Sequence, residues 1–440
     1  MIKIPKEVKA IIEKLEKEKF KAFVTGECTG NSLAGWDPFG WDVSTSARLE
    51  DLYRIFPEAD VISEKYGVVR MDFVKIILDE KGDEVEEGII VDISTFRKDS
   101  VFAYGRKSGE VEFADTIEED LARRDFTMYA IADSGHQVVD PYNGFNDIKK
   151  KLVRTVGDPA ATFAEDPARM LKAIRIAAEL DFDLAQNVYE AIRSNYKLLE
   201  KISVERFRNE FIRIMAAAHA GKGFNMILDT GIINLILGED VVNNLTKREK
   251  NDMITLSQNI DRSKQVFERR LGLFYTIIDK KKAVPSIEKF NFDKKTHQYL
   301  IDAVHDMPKL YFAQTKELLK KFIYQHGMDR YNYLANLEKA QRIVFDYDSD
   351  TKIKSKMYLL EEIHALREPI FIDDLTVDAN DLIEVGICDT VEEGEKLLGL
   401  VVEKLHQYPL KNKRDEILKL AKKYKNNKIA AATRKIRWVR

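Results

Sequence analysis

The spacing of hydrophobic and polar residues divides the chain into two parts. Up to about residue 150, short apolar runs rich in β-branched residues alternate with Gly and Asp, which predicts strands. These strands cover Ala22 to Thr25, Val68 to Leu78, Gly88 to Ile93 and His136 to Val139. The acidic run Asp79 to Glu84, with a central glycine, predicts a hairpin turn. Two helices are predicted, over Lys6 to Glu18 and, after the cap candidates Ser44 to Ser46, over Ala47 to Phe56.

Beyond residue 150 the strand pattern almost disappears, and apolar residues recur at helical spacing. The predicted helices span Asp166 to Leu180, Asn187 to Leu199, Val204 to Ala217, Thr315 to His326, Met328 to Val344 and Thr390 to His406. The pattern therefore predicts a small α+β head on a long helical body.

Composition adds the class of protein. The chain has 440 residues, 45% of them hydrophobic and 33% charged, which indicates a folded protein with several units and excludes overall disorder. Its two cysteines cannot build a disulfide framework. No apolar run approaches the length of a membrane span, and Met1 to Phe20 is rich in Lys and Glu, unlike a signal peptide. We therefore expect a cytoplasmic protein without a membrane partner.

The small net charge of −3 conceals a basic C-terminus. From Lys411 to Arg440 there are twelve Lys or Arg and two Asp or Glu, a local charge of +10, so the remainder carries −13. Such a tail is either a nucleic-acid contact or a solvated terminal helix. Charge alone favours the solvated helix.

Candidate chemistry begins in the head. Gly26, Gly30 and Gly35 follow a predicted strand, where exposed amides can contact phosphate, although a simple turn also explains them. Asp42 and Asp92 each lie in a short predicted strand. Carboxylates on neighbouring strands can share a divalent metal, as nucleotidyl transfer requires, but they can also be edge residues that face water.

A second group of candidates lies where the long helices begin. Arg124 precedes Asp125, and Asp166 and Arg169 are three residues apart at a helix start. An Asp and an Arg held together offer an acceptor and several donors, which suits contact with a nucleobase edge. A helix N-terminal salt bridge is the commoner explanation for such a pair.

Three long motifs resemble the bacterial tRNA nucleotidyltransferase/poly(A) polymerase family, the CCA-adding enzymes. They are EEDLARRDFT at 118–127, DPYNGFNDIKKKLVRTVGDP at 140–159 and FAEDPARMLKAIRIAAELDF at 163–182. The resemblance extends to Asp42–Thr45, Val91–Arg97 and Tyr104–Arg106, with a weaker similarity from Asp381 to Lys422.

The resemblance implies an α+β nucleotidyltransferase (polymerase-type) head followed by an all-α neck, body and tail. The corresponding boundaries are 1–149 for the head, 150–218 for the neck, 219–345 for the body and 346–440 for the tail. It also implies CTP and ATP as substrates, Mg²⁺ as the metal and the 3′ end and acceptor arm of tRNA as the partner. A protein partner or a homo-oligomer stays open.

The resemblance also implies roles for individual residues. Asp42 and Asp92 match catalytic, metal-binding carboxylates. Nucleotide binding falls to Gly26, Arg124, Asp166 and Arg169. The RNA-binding candidates are the basic residues of the tail, Lys422, Lys423, Arg434, Lys435 and Arg437.

The chain departs from the family pattern mainly in the head. The family begins this motif with Gly-Gly-x-Val-Arg-Asp, where this chain has Glu27, Gly30 and Asn31 at the second, fifth and sixth positions. Gly40 replaces the first carboxylate of an Asp-x-Asp metal pair, and Tyr129 replaces an Asn. A His-Gly-Thr motif is also altered, to Tyr66–Val68. A lost metal ligand and a carboxylate near the phosphates both weaken transfer chemistry.

Three hypotheses follow. The first is a family member that mainly binds tRNA and nucleotide, a pseudoenzyme whose transfer chemistry is lost or strongly weakened. The second is an active CTP/ATP:tRNA nucleotidyltransferase that uses Asp37 or Glu27 as a compensating carboxylate. The third is an RNA-binding scaffold subunit of a larger complex.

Overall fold

The computed structural model describes residues 2–38, 40–78, 84–98, 111–346 and 350–437. Side chains are described within these ranges except at 75–78, 84–87, 350–355, 410 and 428–437. Contacts divide the chain into two units, Met1–Asn244 and Leu245–Arg440. The four-part division from the sequence stays a prediction.

The first unit begins with a sheet-containing head. Its nine strands are β1 Ala22–Thr25, β2 Trp41–Thr45, β3 Asp60–Ser63, β4 Val68–Leu78, β5 Glu84–Thr95, β6 Arg97–Lys98, β7 Glu112–Phe113, β8 Ala132–Asp133 and β9 Val138–Val139. Its helices are α1 Lys6–Lys17, α2 Glu27–Leu33, α3 Leu49–Ile55, α4 Ile117–Ala122 and α5 Gly144–Lys149, with a 3₁₀ turn at Thr127–Tyr129.

Seven of these strands form one sheet in the order β3-β4-β5-β2-β1-β8-β9. Strands β2 and β5 are parallel, whereas the other neighbours in the sheet are antiparallel. The predicted hairpin is confirmed, because β4 pairs with β5 from Val68 to Leu78. Its tip lies outside the described residues. Val24, Val43 and Val91 of the central strands are buried together with Val8 and Leu15 of α1.

The rest of the first unit is mainly helical. Its helices are α6 Pro159–Glu165, α7 Ala168–Leu180, α8 Gln186–Asn195, α9 Val204–Ala216, α10 Ala220–Asp229, α11 Ile233–Leu237 and α12 Glu239–Asn243, with a 3₁₀ turn at Tyr196–Lys201. A small parallel pair joins β10 Leu152–Val153 to β11 Asp183–Leu184. These two short strands are an addition to the predicted all-α neck.

Helices make up the regular structure described in the second unit. They are α13 Lys247–Asn259, α14 Phe267–Thr276, α15 Lys280–Phe290, α16 Lys294–Phe312, α17 Lys316–His326, α18 Met328–Phe345, α19 Asp350–Ala365, α20 Ala379–Glu384, α21 Val391–Leu405 and α22 Arg414–Arg437, with 3₁₀ turns at Ile260–Arg262, Ile372–Asp374 and Pro409–Lys411. Near its end, Leu398 and Val401 of α21 pack in one core with Ile417 and Ala421 of α22. The predicted head-plus-helices fold is confirmed.

The local structure differs from the sequence-based interpretation at three places. The glycines after β1 suggested either amides that contact phosphate or a simple turn, yet Glu27 to Leu33 form helix α2. The predicted cap residues Ser44 and Thr45 lie in strand β2. Arg48 occupies the N-cap position of α3 instead, and its backbone N–H donates to Asp51 Oδ2 at 3.3 Å. The strand predicted from His136 contains only Val138 and Val139.

Candidate functional site

Asp42 and Asp92 lie side by side on two neighbouring strands. Strands β2 and β5 run parallel, and their register pairs Asp42 with Asp92. Because residues at matched positions of adjacent strands project from the same face of a sheet, both carboxylates face the same side. Both residues are half-buried. The structure thus brings together the two residues assigned from the sequence to catalysis and metal binding, and those roles stay predictions.

Asp92 is bound at both of its oxygens by Arg70. Arg70 Nε lies 2.7 Å from Oδ1, and Arg70 Nη2 lies 2.9 Å from Oδ2. Arg70 is the direct cross-strand neighbour of Asp92 in the β4–β5 hairpin. The result is a bidentate, charge-assisted ion pair, which is the strongest geometry available to these side chains.

Gly26 and Arg124 border Asp42. A Cβ atom at residue 26 would lie 3.1 Å from Arg124 Nη1 and 3.1 Å from Asp42 Oδ2. Gly26 also has a φ of +83°, which only glycine adopts without strain. Burial raises the pKa of Asp42, and the charge of Arg124 offsets this only in part. Three predicted site residues therefore meet at one point.

Arg124 is held in place by polar side chains of the sheet and of α4. Its Nη2 donates to Thr25 Oγ1 at 2.9 Å and to Ser44 Oγ at 3.0 Å. The same nitrogen lies 3.0 Å from Asp120 Oδ2. Although burial by itself raises the pKa of Asp120, the charges of Arg124 and Arg123 lower it to about 2. Arg124 is therefore a fixed positive charge beside Asp42.

Asp166 and Arg169 occupy the junction of α6 and α7. Asp166 is the C-cap residue that follows α6, and Arg169 is the second residue of α7. Asp166 Oδ2 accepts from Arg206 Nη2 at 2.7 Å, whereas Arg169 Nη1 donates to Glu165 Oε2 at 2.9 Å. Each of the two side chains is thus oriented by a further charged residue.

Lys172 connects this junction to the head. Its Nζ lies 2.7 Å from Asp125 Oδ2 and 3.0 Å from Glu27 Oε1. Asp125 directly follows Arg124, so a single lysine of α7 links both groups of predicted residues.

Glu27 also meets a buried arginine of α7. Its Oε1 lies 2.9 Å from Arg175 Nη2. Arg175 is 1% exposed and also binds Glu179 at 2.6 Å and Glu210 at 2.9 Å. Although burial by itself raises the pKa of Glu27, the charges of Lys172 and Arg175 lower it to about 2. The uncompensated carboxylate expected from the sequence is thus neutralised in place, because two cations from α7 reach it.

Three departures from the family pattern form one contact set. A Cβ atom at Gly30 would lie 2.6 Å from the carbonyl oxygen of Met128 and 2.6 Å from Cδ1 of Tyr129. The hydroxyl of Tyr129 donates to Asn31 Oδ1 at 3.2 Å. The buried tyrosine ring therefore lies beside residue 30, and residue 31 receives its polar end.

Within the described residues, the compensating carboxylates proposed from the sequence do not join Asp42 and Asp92 in a metal-binding group. Asp37 is exposed. Glu27 is engaged by α7, as described above. In the parts of the chain that the structure describes, no group of three or more His, Cys, Asp or Glu side chains is arranged to hold a metal ion. These donors do not fit the two-metal site that the resemblance implies.

The predicted RNA-binding residues lie on α22. Lys422 and Lys423 are exposed on this helix. The side chains of Arg434, Lys435 and Arg437 lie outside the described residues, as does the motif Tyr104–Arg106.

Sequence reasoning missed Arg70, Lys172, Arg175 and Arg206. A signal existed for the first, because a hairpin with Leu78 opposite Glu84 also places Arg70 opposite Asp92. Lys172 and Arg175 follow Arg169 at three-residue steps, which places them on the same helix face. Arg206 lies on α9 and has no such local signal.

Two family profiles match the chain. "Poly A polymerase head domain" matches residues 22–154, and "Probable RNA and SrmB- binding site of polymerase A" matches residues 181–240. Among the described helices, none combines the length and the apolar composition that a membrane span requires.

Individual proteins are similar over longer stretches. The CCA-adding enzyme of Lactobacillus helveticus is 35% identical over 240 residues, which are 54% of this chain and 56% of that protein. The chain thus spans about half the length of this relative. The CCA-adding enzyme of Streptococcus pyogenes serotype M4 is 30% identical over 403 residues, 90% of each chain.

A solved structure shows the same fold. The CCA-adding enzyme of Bacillus stearothermophilus in complex with CTP superposes with a TM-score of 0.70 at 23% identity, over 97% of this chain and 98% of that one. Together with the long match to the streptococcal enzyme, these findings show that the chain belongs to the tRNA nucleotidyltransferase family of CCA-adding enzymes.

Proposed function

We propose that this protein binds nucleotides and tRNA 3′ ends as its family does, with nucleotidyl transfer lost or strongly weakened. One observation supports the weakened chemistry above all. Asp42 and Asp92 are adjacent, but residue 40 is glycine and Asp92 is bound by Arg70. Loss of one electrostatic contact at a reaction centre costs about 10²–10³ in rate, and losses within one site are not independent.

The predicted base-contacting residues support retained binding. Asp166 and Arg169 lie on either side of the junction between α6 and α7, and Lys172 of α7 binds Asp125, the residue after Arg124. The match to an RNA-binding profile over 181–240 supports RNA as a partner. A cytoplasmic location and a protein partner or homo-oligomer stay predictions from the sequence.

A nucleotide-incorporation assay tests the proposal. The protein is incubated with Mg²⁺, labelled CTP or ATP, and a tRNA that lacks its 3′ CCA, and tRNA binding is measured in parallel. We expect tRNA binding without measurable extension. Robust extension by the unmodified protein would contradict the proposed loss of chemistry, whereas absence of nucleotide and tRNA binding would contradict the proposed binding function.

The structure guides the choice of gain-of-function variants. Gly40→Asp is included because a Cβ there would make only an ordinary contact, 3.5 Å from the carbonyl oxygen of Ile90. Glu27→Gly leaves Arg175 its two other carboxylates. Asn31→Asp completes a triple variant. Gly30→Arg is omitted, because Tyr129 occupies the space that its side chain would need.

The incorporation assay on the triple variant locates the defect. Restored extension would place the loss in these three positions. Continued absence of extension would show that the loss involves further residues.

A further inference from the structure

Arg70 and Asp92 form a pair that the sheet itself positions. The two residues are direct partners in the antiparallel β4–β5 ladder, so their spacing follows from the backbone register. Arg70 Nε and Nη2 contact the two carboxylate oxygens at 2.7 and 2.9 Å. Each oxygen of Asp92 therefore already accepts a charge-assisted hydrogen bond.

The neighbouring carboxylate also has a guanidinium beside it. Asp42 Oδ2 and Arg124 Nη1 both border the same point above Gly26. Two carboxylates thus face two guanidinium groups, each with a permanent positive charge. One of these groups, that of Arg124, is also paired with Asp120. A site that holds a divalent cation needs an excess of negative oxygen donors, and Mg²⁺ demands near-octahedral coordination by them.

A metal ion at Asp92 would have to displace the guanidinium. It would then lie close to the released Arg70 and to Arg124, and like charges at such distances repel strongly in a partly buried site. Among the described residues, no group of three or more His, Cys, Asp or Glu side chains is arranged to hold such an ion, and the nearby Asp120 is already paired with Arg124.

We propose that the guanidinium of Arg70 takes the place of a metal ion at Asp92, so that the Asp42–Asp92 pair excludes divalent metal. Arg70 is a positioning residue in this arrangement, since it neutralises and orients Asp92. If the proposed nucleotide binding holds, that binding is then independent of divalent metal.

Mn²⁺ titration of the full chain, followed by electron paramagnetic resonance of the free ion, tests the proposal. Wild type is compared with Arg70→Gln, which removes the charge, and Arg70→Lys, which keeps it. Arg54→Gln is the matched control, because Arg54 forms its ion pairs with Glu18 and Asp51 elsewhere on the head. Circular dichroism confirms that each variant is folded.

We expect Arg70→Gln to strengthen Mn²⁺ binding at least about tenfold over wild type, with no comparable gain in Arg70→Lys or Arg54→Gln. The gain must disappear in the double variant Arg70→Gln/Asp92→Asn, because Asp92 is the ligand that becomes available. Equal binding by wild type and Arg70→Gln would overturn the proposal. Mn²⁺ binding by the wild type that is lost in Asp92→Asn would also overturn the proposal.

Equilibrium dialysis with ATP and with CTP, in EDTA and in Mg²⁺, separates this proposal from the proposed function. Equal affinity in both conditions supports metal-independent binding. If the wild type binds nucleotide only in Mg²⁺, and Arg70→Gln does the same, the proposed exclusion of metal is overturned. The proposed nucleotide binding would remain supported. Absence of nucleotide binding in either condition would contradict the nucleotide part of the proposed function, and the Mn²⁺ result would still decide the role of Arg70.

Discussion

Tyr129 packs so closely against Gly30 that a single methyl group on residue 30 would lie 2.6 Å from its Cδ1 atom. The same tyrosine donates to Asn31 and lies below Lys172, whose Nζ is 5.4 Å from the ring centroid. Three positions that differ from the family pattern are thus in mutual contact. They form a packed set in which a change at one position affects the others.

Gly30→Ala should destabilise the protein by about 1–3 kcal/mol, because overpacking a close contact forces neighbouring atoms to move. Gly40→Ala is the matched control, since its nearest neighbour would lie at an ordinary 3.5 Å. Chemical denaturation of both variants measures the difference in free energy of unfolding. Equal stability of the two variants would show that the backbone of helix α2 shifts to accommodate the methyl group without loss of folding free energy.

Arg175→Met should cost about 1–3 kcal/mol of folding free energy, because it leaves half-buried carboxylates without their shared cation. Arg213→Met is the control. Arg213 also pairs with Glu179, but its side chain is 47% exposed, so about 0–1 kcal/mol is expected. Adding Glu27→Gln to Arg175→Met should recover part of the loss. A cost for Arg175→Met no larger than that of the control would contradict the buried cluster.

Acid should remove the contribution of Glu27 to stability. Its pKa in the folded protein is about 2, below the ordinary value of 4.5, so the folded state binds the proton less tightly than the unfolded chain. The contribution is therefore complete above pH 4.5 and is lost as the pH falls toward 2.

The stability difference between wild type and Glu27→Gln should accordingly narrow below pH 4.5. Denaturant titrations across the acid range measure it, with Glu205→Gln, an exposed position, as the control. A difference that stays constant down to pH 2 would contradict the ion pairs of Glu27 with Lys172 and Arg175.

Asp166→Ala should weaken binding of CTP and ATP about tenfold, if the residue contacts the base with a charged hydrogen bond. Arg206→Ala should reproduce part of the effect, because Arg206 orients Asp166 at 2.7 Å. Equilibrium dialysis measures both variants. Loss of affinity in Arg206→Ala alone would assign base contact to Arg206 and not to Asp166.

Lys422→Gln/Lys423→Gln should weaken tRNA binding and reduce its salt dependence, because each lysine that contacts phosphate releases counterions. Whole-tail truncation is a poorer test, since Ile417 and Ala421 of the same helix are buried in the tail core. Filter binding at several salt concentrations measures the effect. Lys9→Gln/Lys17→Gln, on exposed positions of α1, is the control. If the salt dependence of tRNA affinity is the same in both double variants, these lysines of α22 do not contact the RNA.

Local periodicity was enough for most elements and for part of the site. The β-branched runs and the hairpin signal placed β4 and β5 correctly, and strand pairing then put Asp42 beside Asp92. Helix α2 was not predicted from the sequence. This segment between Gly26 and Gly35 is helical, and its residues pack under Tyr129 and against α7. Glycine content indicates a turn only when no neighbouring element stabilises another conformation.

By itself, the sequence determined the head-plus-helices architecture, the family and the positions at which this chain departs from it. Only the tertiary structure decided what those departures do. Glu27 and Arg175 are 148 positions apart in the chain, and Asn31 and Tyr129 are 98 apart. Periodicity and capping signals act over a few residues, whereas ion pairs and ring contacts depend on which elements pack together. For that reason no partner for the carboxylates of Glu27 and Asp92 could be read from the sequence. In the folded protein, Lys172 and Arg175 of α7 neutralise Glu27, and Arg70 of β4 neutralises Asp92.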